Sequence, residues 1–164
     1  MIENKITKSG LITLDAEEML QSADLASVDI KQFLWQELVV KEKEFRQQTT
    51  EFNWAQFKNK YVAVFLSVDA IIPHWAYMLI ASYLGEAKQC YFIQPEHLQE
   101  AAVLNMIDAL KQEEFEGQRV IIKGCGNVDL SPAVYIRFTQ KLKPVVKSLM
   151  FGEPCSTVPI YKKK

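Results

Sequence analysis

The chain has 164 residues, enough for one domain with a hydrophobic core of its own, and 49% hydrophobic with 24% charged residues is an ordinary globular balance. A formal net charge of −1 lacks the basic surface with which a general nucleic-acid binder displaces counterions. The longest apolar stretch, Trp75 to Leu84, falls short of the ~20 residues a membrane span needs, so neither nucleic acid nor a membrane is expected as a partner.

Leu11-Ile12-Thr13-Leu14 reads as a short strand after Gly10, and Asp15 to Val28 reads as polar and irregular. Asp29-Ile30-Lys31-Gln32 has capping-box spacing. Ile30, Phe33, Leu34 and Leu38 then share a helical face that Phe45 and Phe52 extend, which predicts helix ending near Asn53. Tyr61 to Ser67 is apolar on both faces, the pattern of a strand covered on two sides. Pro73 suits a first helical position, and His74 to Leu84 reads as a packed helix stopped by Gly85. Gln89 to Ile93 is the next strand, and Pro95 opens a helix that runs to about Gln112. Arg119 to Lys123 is a further strand. Ser131-Pro132 caps a helix whose apolar stripe, Val134, Phe138, Leu142, Val145 and Leu149, crosses Pro144 without a break. That stripe predicts a kinked but continuous helix to about Phe151, spanning ~30 Å. A last strand, Thr157 to Lys162, follows.

Alternating strands and helices imply right-handed crossovers and a mostly parallel sheet. The expected fold is a single α/β domain over residues 1–164. It is a three-layer sandwich with the N-terminal strand at an edge of its sheet, and residues 1–28 are irregular apart from that strand.

Three irregularly spaced cysteines make no disulfide framework. Met1-Ile2-Glu3-Asn4-Lys5 is mixed and soon polar, unlike a signal segment. A cytoplasmic, reduced setting is therefore expected, with thiols free or ligand-bound. Cys90 lies inside a strand and reads as core filler, and His97 as a solvated helix residue. Cys125 stands between Gly124 and Gly126 just after an apolar strand, and Cys155 stands in Gly152-Glu153-Pro154-Cys155 just before the last one.

In open α/β sheets, ligands bind beyond the carboxyl ends of the strands. If the strands before Asp69 and Cys125 are neighbours, Asp69, His74 and Cys125 share one edge. Cys125 would then be a nucleophile, with His74 as base and Asp69 as its orienter. His74 equally suits an ordinary first-turn position, and Asp69 an ordinary turn. A continuous helix through Pro144 would carry Cys155 to the opposite edge. A sharp break there would let Cys155 face Cys125, so that Cys125, Cys155 and Glu153 or His74 could hold a metal, with Gly124 and Gly126 letting a ligand approach the backbone. No phosphate-binding loop, dinucleotide fingerprint, Cys-x-x-Cys pair or nucleophile elbow is present.

Three segments, Ala70 to Leu79, Val120 to Cys125 and Gly152 to Tyr161, resemble a family of uncharacterised Bacteroidetes proteins known as a domain of unknown function. The resemblance covers essentially the whole chain, and its C-terminal motif is the most specific part. It implies no activity, substrate or catalytic residue. It does imply an accessory role near sulfur-mobilising iron–sulfur assembly, carries Cys125 and Cys155, and does not carry His74. The leading expectation is thus a non-catalytic accessory protein that handles a metal, an iron–sulfur cluster or sulfur, or binds a protein partner, near Cys125. A cysteine-dependent acyl- or sulfur-transfer enzyme is the alternative. A structural or homo-oligomerising module with Trp35 or Trp54 at its contact surface is the third reading.

Overall fold

The computed structural model describes residues 10–124 and 126–164. The backbone divides into two compact units. One runs through Ser22 and resumes over Glu100–Lys164, and the other is Ala23–Gln99. The protein is α/β with parallel sheets, but the expectation of one sheet gives way to two, because the second strand of the chain pairs with the third and not with the first.

In the first unit, β1 (Leu11–Leu14), β5 (Arg119–Ile122), β6 (Ser148–Glu153) and β7 (Ser156–Lys162) form a sheet in the order β1-β5-β6-β7. The N-terminal strand lies at its edge, as expected. β1 and β6 both run parallel to β5, with Leu14 opposite Ile122 and Ile122 opposite Phe151. Among the described strands of this sheet only β7 is antiparallel, folding back from β6 with Glu153 opposite Ser156.

The segment expected to be irregular after β1 holds a helix and a strand. Helix α1 (Ala16–Gln21) starts because the Asp15 carboxylate accepts the N–H groups of Glu17 and Glu18. Ala16, Met19 and Leu20 are its buried stripe. Strand β2 (Leu25–Asp29) mixes Leu25, Ala26 and Val28 with Ser27 and Asp29, and parallel pairing with its neighbour holds it in register.

The kinked helix expected across Pro144 is not formed. Helix α5 (Pro132–Leu142) ends at Leu142, capped by Lys143, and the chain turns back beside β5. Pro144 has no N–H to give to an α-helical ladder and its ring crowds the preceding turn. The turn is fixed from outside: Gly117 N–H donates to the Val145 carbonyl at 2.8 Å, and Lys147 N–H to the Gln118 carbonyl at 2.8 Å. Of the residues that read as helix stripe beyond Leu142, Val145 falls in the turn and Leu149 is buried as a sheet residue. The other apolar positions of the stripe, Val134, Phe138 and Leu142, do form the buried face of α5.

The second unit is a parallel sheet in the order β2-β3-β4, with β3 (Tyr61–Phe65) central and β4 (Gln89–Phe92) at an edge. The four central residues Tyr61 to Val64 are all buried, as a two-sided strand requires. The long helix expected from Asp29 is instead a 3-10 turn over Ile30–Phe33, a reversal at Gln36 and Glu37, and helix α2 (Glu42–Glu51). Gln36 and Glu37 take positive φ values of 50° and 60°, and Trp35 bridges to Val39 across them. Helix α3 (His74–Tyr83) buries Ala76 and Ile80 but leaves Met78 exposed, so it packs by one face and not all round. Helix α4 (Leu98–Asp108), which belongs to the first unit from Glu100 on, follows a 3-10 turn at Pro95 and ends before the expected Gln112.

Phe138 has no solvent exposure and sits at the centre of the α5 face. Phe138→Ala should lower stability by about 3–5 kcal/mol, read as a fall in the denaturation midpoint with an unchanged slope. A loss below about 1 kcal/mol would contradict this packing.

Candidate functional site

The carboxyl edge of the first unit's sheet is where the chain gathers its unusual residues. β1 delivers Asp15 and Glu17 there, β5 delivers Lys123, Gly124 and Gly126, and β6 delivers Gly152, Glu153 and, across the turn, Cys155. The parallel register makes this unavoidable: Leu14, Ile122 and Phe151 are level with one another, and each is followed within four residues by one of these groups. The opposite-edge placement of Cys155 that follows from a continuous helix is therefore corrected. The break at Pro144 brings the Cys155 turn to the edge at which the glycine loop starts. Cys125 itself lies outside the described residues.

Each glycine of the loop has a packing reason. A Cβ on Gly124 would overlap the ring of Phe151, and a Cβ on Gly126 would overlap the Glu17 carboxylate. The Phe151 ring in turn meets Tyr135 edge to face, with centroids 5.6 Å apart at 86°. Lys123 N–H donates to the Leu14 carbonyl at 2.9 Å, and Lys123 Nζ lies 3.5 Å from Asp15 Oδ2. Asp15 thus uses one oxygen to cap α1 and the other to meet Lys123. Asn127 N–H donates to Glu17 Oε2 at 2.9 Å. Farther along, the Glu100 carboxylate accepts from both Ser131 N–H (3.1 Å) and Ser131 Oγ (2.7 Å), which fixes the start of α5.

The hairpin between β6 and β7 exposes Cys155 and half-buries Glu153. Gly152 enters it with a φ of 122°, and an added Cβ would sit 2.6 Å from the Ser156 carbonyl oxygen, so only glycine fits. Beside the edge, a cavity of about 280 Å³ opens between α5 and β6–β7, with Ile122, Tyr135, Leu149, Phe151 and Ile160 among its walls. Its lining is almost wholly apolar, so it can receive an apolar group but supplies no charge.

Asp69 and His74 belong to the second unit, and both are exposed. β3, which leads to them, and β5, which leads to Cys125, lie in different sheets. The strand adjacency that would group Asp69, His74 and Cys125 is absent. The turn before Asp69 is tied by Asp29, whose carboxylate accepts from Lys31 N–H, Ser67 N–H and Ser67 Oγ. Cys90 is half-buried against the second unit's core, and burial pushes its thiol above the usual range. His97 is exposed. Trp54 is no free contact surface: it stacks on Tyr83 at 5.4 Å, and its Nε1 donates to the Thr49 carbonyl at 2.6 Å. Trp35 remains 43% exposed, with Lys41 Nζ 3.5 Å above its ring. Among the described residues no three His, Cys, Asp or Glu side chains are grouped as a metal site, and no helix is long and apolar enough to cross a membrane.

Sequence reasoning passed over Asp15, Glu17, Tyr135 and Phe151. Asp15 carries a readable signal, a capping residue directly after a strand. The other three depend on long-range contacts that no spacing encodes.

A four-strand edge built in this way, with glycine loop and cysteine hairpin side by side, defines an α/β protein with a candidate binding edge. The chain belongs to the family described as protein of unknown function (DUF2480), which matches residues 1–163. No curated protein and no solved structure matches it.

The Gly124–Phe151 contact predicts a rescue. Gly124→Ala should lower the melting temperature by several degrees, and Phe151→Leu should recover part of that loss in the double variant but not stabilise the natural chain. Additive effects would show that the ring and the loop do not touch. The cysteines make a second check. Under iodoacetamide at pH 8, Cys155 should react well before Cys90, whose raised pKa and half-burial leave less accessible thiolate. Equal rates would contradict the placement of Cys90.

Proposed function

We propose that this protein is a non-catalytic accessory protein that binds a thiophilic metal ion or sulfur-containing group at the carboxyl edge of the β1-β5-β6-β7 sheet. Cys125, Cys155 and Glu153 are the candidate ligands. The observation that carries the reading is the parallel pairing of β5 with β6, which starts the Cys125 loop and the Cys155 hairpin from one end of the sheet. Two thiolates with one carboxylate form a soft donor set, suited to zinc, copper(I) or an iron–sulfur centre and poorly suited to magnesium or calcium. Exposure of Cys155 lets a ligand or a donor protein reach it. The nucleophile reading loses its support, because the imidazole and carboxylate it invokes follow a strand of the other sheet.

Anaerobic cobalt(II) titration tests this proposal. The natural chain should develop a sulfur-to-cobalt charge-transfer absorption saturating near one equivalent, and Cys125→Ser and Cys155→Ser should each weaken binding at least about tenfold while keeping the same circular dichroism. Binding that is unchanged in both variants, or absent from the natural chain, would overturn the reading.

A further inference from the structure

The cavity between α5 and β6–β7 has hydrocarbon walls and a basic end. Ile122, Leu149, Phe151 and Ile160 enclose about 280 Å³, and Ile160 is left 51% exposed. An apolar cavity of about 150 Å³ holds a benzene ring, so this one holds about ten to twelve carbon atoms. Helix α5 runs from Tyr135 and Thr139 on the wall to Lys143 one turn farther on. There Lys143 Nζ stands 5.5 Å from the centroid of the Tyr161 ring, and Tyr161 is opposite Leu149, a wall residue. The antiparallel return of β7 brings more charge to this end. Lys162 is opposite Ser148, and Lys163 N–H donates to the Lys147 carbonyl at 2.9 Å. Lys143, Lys147, Lys162 and Lys163 are exposed, and among the described residues no ion pair includes any of them. Other lysines of this unit are engaged: Lys123 meets Asp15, and Lys141 Nζ donates to the Asp108 carbonyl at 2.7 Å. Four ammonium groups gathered by backbone pairing repel one another, and an anion at that end relieves the repulsion.

We propose that this cavity binds a medium-chain fatty acid, with a chain of about ten carbons between α5 and the β6–β7 hairpin and the carboxylate at Lys143. The two halves of the ligand answer two separate observations, hydrocarbon walls that carry no charge and unpaired lysines at one end. A neutral chain answers only the first and an inorganic anion only the second. The site uses no cysteine, so it stands or falls apart from the metal reading.

Calorimetric titration of the full natural chain with sodium decanoate, far below its micelle concentration, tests the assignment. One equivalent should bind with a Kd on the order of tens of micromolar. 1-Decanol, the same chain without the charge, should bind about three- to tenfold more weakly. Lys143→Gln should bring decanoate to the decanol level and leave decanol within about twofold. Ile160→Trp and Thr139→Phe each push a ring into the cavity, from β7 and from α5, and should weaken both ligands at least about tenfold. Melting temperatures identify which of these variants is folded. Raising salt from about 0.05 M to about 0.5 M should weaken decanoate and spare decanol. No saturable binding, equal affinity for decanoate and decanol, or unchanged binding in a folded cavity-filling variant would overturn the assignment. Association with phosphatidylglycerol vesicles without binding of monomeric decanoate would overturn it as well.

Discussion

Everything at the candidate site depends on β6 lying parallel to β5. A parallel neighbour cannot be reached by a hairpin, so the chain must cross over, and α5 is the crossover. For β6 to run the right way, α5 must stop and the chain must return to the amino end of β5. Pro144 stops it, and the bonds from Gly117 and Lys147 anchor the return. Had the helix continued to Phe151, Leu149 would pack as a helix residue and the Cys155 motif would open a strand from the far edge. Instead Leu149 is buried opposite Val120, and Phe151 stands beside Ile122 within reach of Gly124.

That arrangement changes what the glycines mean. Glycines beside a thiol invite a reading in which the backbone is cleared for a ligand. In the folded chain one glycine makes room for an aromatic ring and the other for a carboxylate. The loop is thus shaped by its own protein on both flanks: Phe151 below Gly124, Glu17 against Gly126 and Asn127, and Asp15 against Lys123. Support for a binding function shifts from the glycines to the parallel pairing of β5 and β6, which starts the glycine loop and the Cys155 hairpin from one end of the sheet. The apolar cavity next to Phe151 and Tyr135 adds a second chemical surface close to a polar edge, the combination that small-molecule and partner sites commonly show.

The fold was partly legible in the sequence, and the successes and failures have physical causes. β3 and β5 were readable because strands covered on both faces need continuous apolar runs. The core face of α5 was readable up to Leu142. Beyond it, Val145 and Leu149 kept helical spacing by coincidence: Val145 lies in the turn, and burial in β6 satisfies Leu149. β2 escaped notice because its short, half-polar run draws its stability from pairing with β3, a long-range effect. The reversal at Gln36 and Glu37 uses left-handed backbone without glycine, so no turn signature marks it. At the site, the two cysteine motifs were visible as composition, whereas the contacts made by Glu17 and Phe151 join residues far apart in the chain.

The most direct test of this account is a nuclear Overhauser experiment on the labelled full chain, directed at Gly124 and Phe151. The account predicts strong transfer between the Gly124 α-protons and the Phe151 ring, ring-current displacement of those α-protons, and cross-strand contacts of β5 with β6. Sequential helical contacts running from Leu142 through Met150, with no transfer from Gly124 to the ring, would contradict it.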